Sequence, residues 1–155
     1  MSTIENRLAR LGLILPTAAA PVAAYVPVVE MGGFAHVSGQ LPLIEGRLVT
    51  GRLGQDLALE QGVEAARACA LMILAQLRLA LGSLDRVERI VKLGGFVNSA
   101  EGFVDQPKVI NGASELMLAV FDDAGRHARS AVGVPTLPLG AAVEVDAIVA
   151  VRPRV

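Results

Sequence analysis

Tryptophan is absent from these 155 residues, tyrosine occurs once and phenylalanine four times. A core must therefore be built from Ala, Val, Leu and Ile, the bulk of a hydrophobic fraction of 53%. The shortage of aromatics also removes the stacking platforms on which single-stranded nucleic acid is held. A single cysteine, Cys69, excludes an intrachain disulfide and a cysteine metal cluster, and its place in a helical stretch reads as packing. Fourteen Lys plus Arg against fifteen Asp plus Glu leave a net charge of −1 with no basic block, so binding by phosphate neutralisation has no footprint.

Long uncharged apolar runs are missing too. The most apolar stretch, Ala65 to Leu81, contains Arg67, Gln76 and Arg78, which opposes a membrane span. Ile4 to Leu15 is broken by Glu5, Arg7 and Arg10, unlike the apolar run of a secretory signal. The expectation is a soluble, cytosolic chain forming one domain over 1–155, with a short helix and linker in 1–21 and the core in 22–155. A domain of this size buries roughly 70% of the surface of its unfolded chain and needs no staples. So much small aliphatic content beside only 19% charged residues predicts more apolar surface than a monomer hides, and hence a subunit interface.

Familiar catalytic signatures are also absent: no Gly-Lys-Ser or Gly-Lys-Thr loop, no Gly-x-Ser-x-Gly elbow, no His-Glu-x-x-His and no Cys-x-x-Cys. His36 and His127 have no evident carboxylate partners for a metal site, so neither metal nor cofactor is expected.

Periodicity orders what remains. Ile4, Leu8 and Leu11 followed by Gly12 predict a short opening helix, and Pro16 to Pro21 a linker. Tyr25 to Met31 and Phe34 to Ser38 flank Gly32-Gly33 as a hairpin, before a glycine-rich loop with a short strand near Leu48. A helix is expected from about Leu57 to Leu81, closed by Gly82, and apolar on more than one face. Val87 to Val97 reads as a strand in which Gly94-Gly95 marks a bulge or something lying close to the backbone. Asp105-Gln106-Pro107 starts a second helix, with Asp105 as a possible cap, running to about Phe121.

Strands over Arg129 to Val134 and Ala142 to Val151 finish the chain. In the last, Val143, Val145, Ala147, Val149 and Val151 share one face; the other turns apolar after Glu144 and Asp146. The fold class is therefore α+β, a mostly antiparallel sheet with two long helices on one face, whose second face needs a cover from another subunit.

The chemically capable residues are few. Arg129 on a strand can clamp a carboxylate through two parallel hydrogen bonds. Glu144, on the next strand after a tight turn, can place or activate a water. A plain solvated arginine, or an ion pair between these two, is the simpler alternative. Asn111-Gly112 falls where the second helix should run, although Gly there costs about 1 kcal/mol against Ala. Either the helix starts later with Asn111 near its cap, or the amide serves a ligand. Ser38-Gly39-Gln40 and Tyr25 admit structural explanations, a turn and a core aromatic.

Taken in order, Tyr25, Val37-Ser38-Gly39-Gln40-Leu41-Pro42, Gly82-Ser83-Leu84-Asp85, Phe96-Val97-Asn98, Val109-Ile110-Asn111-Gly112, Ala128-Arg129-Ser130-Ala131-Val132, Leu137-Pro138 and Val143-Glu144-Val145 resemble the RidA/YjgF family of reactive-intermediate deaminases. The resemblance spans Tyr25 to Val151. It implies a chorismate-mutase-like fold, a homotrimer with helices outside, and clefts lined from two chains. It also implies hydrolysis of enamines or imines of 2-keto acids, such as 2-aminoacrylate, to the keto acid and ammonia. By the same resemblance, Arg129 binds the substrate carboxylate and Glu144 orients water. Tyr25, Ser38, Gly39, Asn111 and the backbone at Ala131 line the cleft. Typical members carry cysteine where this chain has Ala131, and the N-terminal segment to about Pro21 is additional, as in a longer subgroup. Two other readings stand beside the deaminase: a non-catalytic trimer binding small carboxylates or keto acids, and an RNA-cleaving protein, which the charge balance disfavours.

Overall fold

The computed structural model describes residues 3–21 and 24–154. In chain order its elements are α1 (Thr3–Arg10), β1 (Val28–Met31), β2 (Phe34–Gln40), β3 (Leu43–Ile44), β4 (Arg47–Leu48), α2 (Leu59–Leu81), β5 (Val87–Asn98), α3 (Gln106–Phe121), β6 (Ala128–Val134) and β7 (Val143–Val151). Five strands form one sheet in the order β1-β2-β7-β5-β6, antiparallel except for the parallel pair β5 and β6. The chain is α+β, a mostly antiparallel sheet with its two long helices packed on one face.

Local chemistry accounts for the element ends. The amide of Ala58 donates to the side-chain oxygen of Gln61 (2.8 Å) at the start of α2, and Gly82, at φ 80°, donates back to Arg78 O (3.0 Å) at its end. Pro107 occupies the first turn of α3, where its missing N–H costs nothing. Asp105 does not cap that helix through its side chain; its carboxylate pairs with Lys108 at 3.2 Å instead. The strand expected from Tyr25 begins only at Val28, and Tyr25 lies half-exposed ahead of it.

Along β7 burial alternates without a break, Val143, Val145, Ala147, Val149 and Val151 lying beneath α2 and α3. Ala35 and Val37 of β2, with Ile90, Leu93 and Val97 of β5, complete that inner face. Burying a Val or Leu side chain contributes about 1.5 to 3 kcal/mol, so this aliphatic layer carries the stability that aromatics do not. The two long helices close on one another at Gly112, where a Cβ would come within 2.1 Å of the backbone oxygen of Val63. Asn111-Gly112 thus lies inside α3 and not at a late helix start: glycine is required there by the approach of α2.

The glycines within β5 have the same kind of explanation. A Cβ on Gly95 would strike Ile110 of α3 at 2.5 Å, and one on Gly94 would strike the carboxylate of Asp146 at 2.3 Å. On the outer face Val29, Met31, Phe34 and Val132 are exposed apolar side chains. Pairing of Val29 with His36 and of Met31 with Phe34 puts the first three on adjacent positions of β1 and β2.

α1 lies apart from the sheet but is tied down at both ends. The amides of Thr3 and Ile4 donate to the carboxylate of Asp85 at 2.9 Å each. Arg7 donates to Ala119 O (2.8 Å) and forms a two-pronged pair with Asp122.

Candidate functional site

Arg129 sits opposite Leu93 in the β5–β6 register, and Leu93 is fully buried under the helices, so the Arg129 side chain leaves the sheet on the helix side. There its Nη1 donates to Asn111 Oδ1 (2.8 Å) and to Ser114 Oγ (3.1 Å), both on α3. Asn111 and Ser114 stand three residues apart and so share one face of the helix. Both acceptors are neutral. The guanidinium is oriented by them and forms no ion pair among the described residues, beside an open cavity of about 300 Å³ lined by Ser114, Glu115, Leu118, Arg126, His127 and Arg129 among others. Ala131, two residues on, shares the helix side and packs against the core edge.

Glu144 belongs to a second cluster. It lies opposite Phe96, between inward-facing Val143 and Val145, and therefore leaves the sheet on the outer side. Its carboxylate rests on Gly39: a Cβ there would fall 2.1 Å from Oε1. Gly39 stands where the pairing of β2 with β7 shifts register between Val37 and Gln40, and this irregularity brings the backbone under the carboxylate. Partial burial raises the Glu144 pKa above the usual carboxylate range, and the neighbouring charge of Asp146 adds to the shift. Burial raises Asp146 as well, opposed by the Gly94 amide and by Lys92. Ser38 adjoins this cluster; its amide donates to Pro27 O (2.9 Å), and its carbonyl accepts from Gln40 Nε2 (3.1 Å).

The expected site residues thus divide in two. Asn111, Arg129 and Ala131 gather at the β6 edge on the helix side, and Ser38, Gly39 and Glu144 gather around β2 and β7. Arg129 and Glu144 are not on paired strands: β5 lies between β6 and β7, and the two side chains leave opposite faces of the sheet. The tight-turn pairing expected from sequence does not form. Residues 135–142 carry the chain past β5, with one helical turn at Pro138–Gly140. The simpler alternative of an Arg129–Glu144 ion pair is likewise replaced by the bonds to Asn111 and Ser114.

The model of the family described as "YjgF/chorismate mutase-like, putative endoribonuclease" matches residues 5–150. The chain belongs to the YjgF family. Among its relatives, Protein TCP17 of Trypanosoma cruzi is 57% identical over 148 residues, covering 94% of this chain and 92% of the relative. Among solved structures, the protein Atu1372 of Agrobacterium tumefaciens, described as of unknown function, superposes with a TM-score of 0.89 at 48% identity, covering 96% of this chain and 92% of that one. RidA from the Antarctic bacterium Psychrobacter sp. PAMC 21119 superposes with a TM-score of 0.61 at 26% identity, covering 87% and 94%.

In this YjgF-family chain Ser114 escaped sequence reasoning, and His127 was weighed only as a metal ligand. Ser114 Oγ is 2.9 Å from His127 Nε2, and His127 Nδ1 is 2.6 Å from Gly125 O. The available signal was spacing: Ser114 follows Asn111 by about one helical turn, and His127 precedes Arg129 by two residues. Gln40, read only as part of a turn, is buried and bonded to the buried Gln76 (3.4 Å), which also holds Ala19 O (2.7 Å) in the linker. Cys69 is buried, and burial pushes its thiol well above the ordinary range, so it is inert packing. Among the described residues no His, Cys, Asp or Glu group is arranged to hold a metal, and no helix is long and apolar enough to cross a membrane.

Proposed function

We propose that this protein hydrolyses reactive imines and enamines of 2-keto acids, such as 2-aminoacrylate, to the keto acid and ammonia, in clefts between the subunits of a cytoplasmic homotrimer. The observation that carries the reading is Arg129: a strand-borne guanidinium aimed by two neutral oxygens and in no ion pair among the described residues, beside an open cavity that Glu115 also lines. Such a group is preorganised for a carboxylate, which would gain two charge-assisted hydrogen bonds.

An imine carbon is already electrophilic, so a clamped substrate, a placed water and a proton path suffice, without metal or covalent intermediate. Glu144 takes the water's proton as attack begins. Its raised pKa brings it nearer to neutrality than an ordinary carboxylate, which favours both accepting that proton and passing it to the departing nitrogen. Tyr25, Ser38, Gly39, Asn111 and Ala131 line the cleft. β6 is an edge strand of the sheet, which supports a role for backbone amides near Ala131 in bonding a developing anion.

The division of these residues between the two faces of one sheet supports a cleft shared by two chains, Arg129 from one and Glu144 from its neighbour. The exposed apolar residues Val29, Met31, Phe34 and Val132 support burial of the outer face in that assembly. The test is keto-acid release from 2-aminoacrylate generated in situ, comparing the native protein with Arg129→Ala. Acceleration that vanishes in the variant upholds the reading. A native rate equal to the spontaneous one across several imines leaves a carboxylate-binding trimer in its place.

A further inference from the structure

Ser114, which also helps to orient Arg129, forms with His127 and Gly125 a chain of contacts whose histidine has no part in imine hydrolysis. A carbonyl oxygen can only accept, so at 2.6 Å from Gly125 O the His127 Nδ1 must carry the hydrogen. In the neutral ring this leaves the Nε2 lone pair pointing at Ser114 Oγ, 2.9 Å away, as the acceptor of the hydroxyl proton. A hydroxyl within reach of a base, with the base fixed by a third group, is the geometry of an activated nucleophile. Arg129 Nη1 also donates to this oxygen at 3.1 Å, and its positive charge eases loss of the hydroxyl proton to His127. Ser114 is half-buried and opens on the cavity of about 300 Å³ that His127 and Arg129 also line, room for a small acyl group. The cavity's other arginine, Arg126, is already paired with Asp123 at 3.2 Å.

We propose that Ser114 is an acyl-accepting nucleophile, with His127 as its base, that hydrolyses small acyl esters or thioesters. The Oγ–C bond forms as the hydroxyl proton passes to His127 Nε2. The tetrahedral intermediate collapses by breaking the bond between the acyl carbon and the leaving oxygen or sulfur, which takes that proton from Nε2. Water then attacks the acyl-serine, its proton passing through Nε2 to Oγ as the carboxylic acid leaves. The helix supplies the serine; the histidine lies in the short connector just before β6, where its bond to Gly125 O holds it.

The experiment is stopped-flow release of 4-nitrophenolate from 4-nitrophenyl acetate by the native chain, with peptide mass mapping of the acid-quenched protein. Expected are a burst approaching one equivalent per chain and an acetyl group on Ser114. Ser114→Ala should abolish both, and His127→Gln should slow the burst about a hundredfold, the usual scale of general-base assistance. Absence of a burst, or acetyl groups mapped only to lysines or Cys69, overturns the proposal, and the mapping on native protein decides it even if a variant fails to fold. Imine hydrolysis is not read in this assay, so the failure of either proposal leaves the other standing.

Discussion

The carboxylate of Glu144 lies directly on the backbone of Gly39, with 2.1 Å between its Oε1 and the place a Cβ would occupy. Gly39→Ala should therefore push that carboxylate aside. The obstructing atoms belong to a flexible side chain, so the thermal midpoint should fall only slightly while keto-acid release falls at least about tenfold, the cost of a misplaced catalytic group. Equal loss of stability and activity would show that Gly39 serves the fold alone.

Gly112 gives the opposite expectation. Its neighbour is the backbone oxygen of Val63, which cannot turn away, so Gly112→Ala must part α2 from α3. Overpacking costs typically about 1 to 3 kcal/mol, against a helix-propensity gain of about 1 kcal/mol from Ala. Urea unfolding should show net destabilisation; a more stable variant would mean the helices yield easily at that crossing.

The raised pKa of Glu144 has a definite sign in stability. A carboxyl whose folded value exceeds its unfolded value binds protons more tightly when folded, so stability falls as pH rises from the unfolded to the folded value. At neutral pH the charged group is a burden, and Glu144→Gln should raise the thermal midpoint there but not in acid, below both values. The same variant should lose imine hydrolysis, and in the native protein activity should decline as acid protonates Glu144. A pH-independent stability difference would locate the effect elsewhere.

Arg129→Lys keeps the charge but loses the planar fork, and the shorter reach to Asn111 and Ser114 on α3 goes with it. Keto-acid release should fall at least about tenfold, the equivalent of one charge-assisted hydrogen bond. Stability should change little, since the partners are near the surface. Full retention of activity would reduce Arg129 to a diffuse positive charge.

The β7 alternation, the two helices and the glycine stops were legible because each follows from a period or a steric rule that acts within a few residues. What could not be read was the third dimension of β6 and β7. Adjacency in sequence suggested a pair, whereas β5 occupies the position between them and sends Arg129 and Glu144 to opposite faces. The Ser114–His127 contact stayed hidden for a related reason: a helix face and a strand start meet only once α3 lies along the sheet edge. Asn111-Gly112 was noticed, but its cause, the approach of Val63, belongs to helix packing and leaves no mark in local sequence.

The tethering of α1 bears on how the chain acquires its structure. Its hydrogen bonds reach Asp85, Ala119 and Asp122, partners 81 to 115 residues away. During synthesis α1 must wait until the whole of α3 has been made before Arg7 finds both its acceptors. An element made well before its partners is thus among the last to be secured, and its docking reports that α3 has settled onto the sheet.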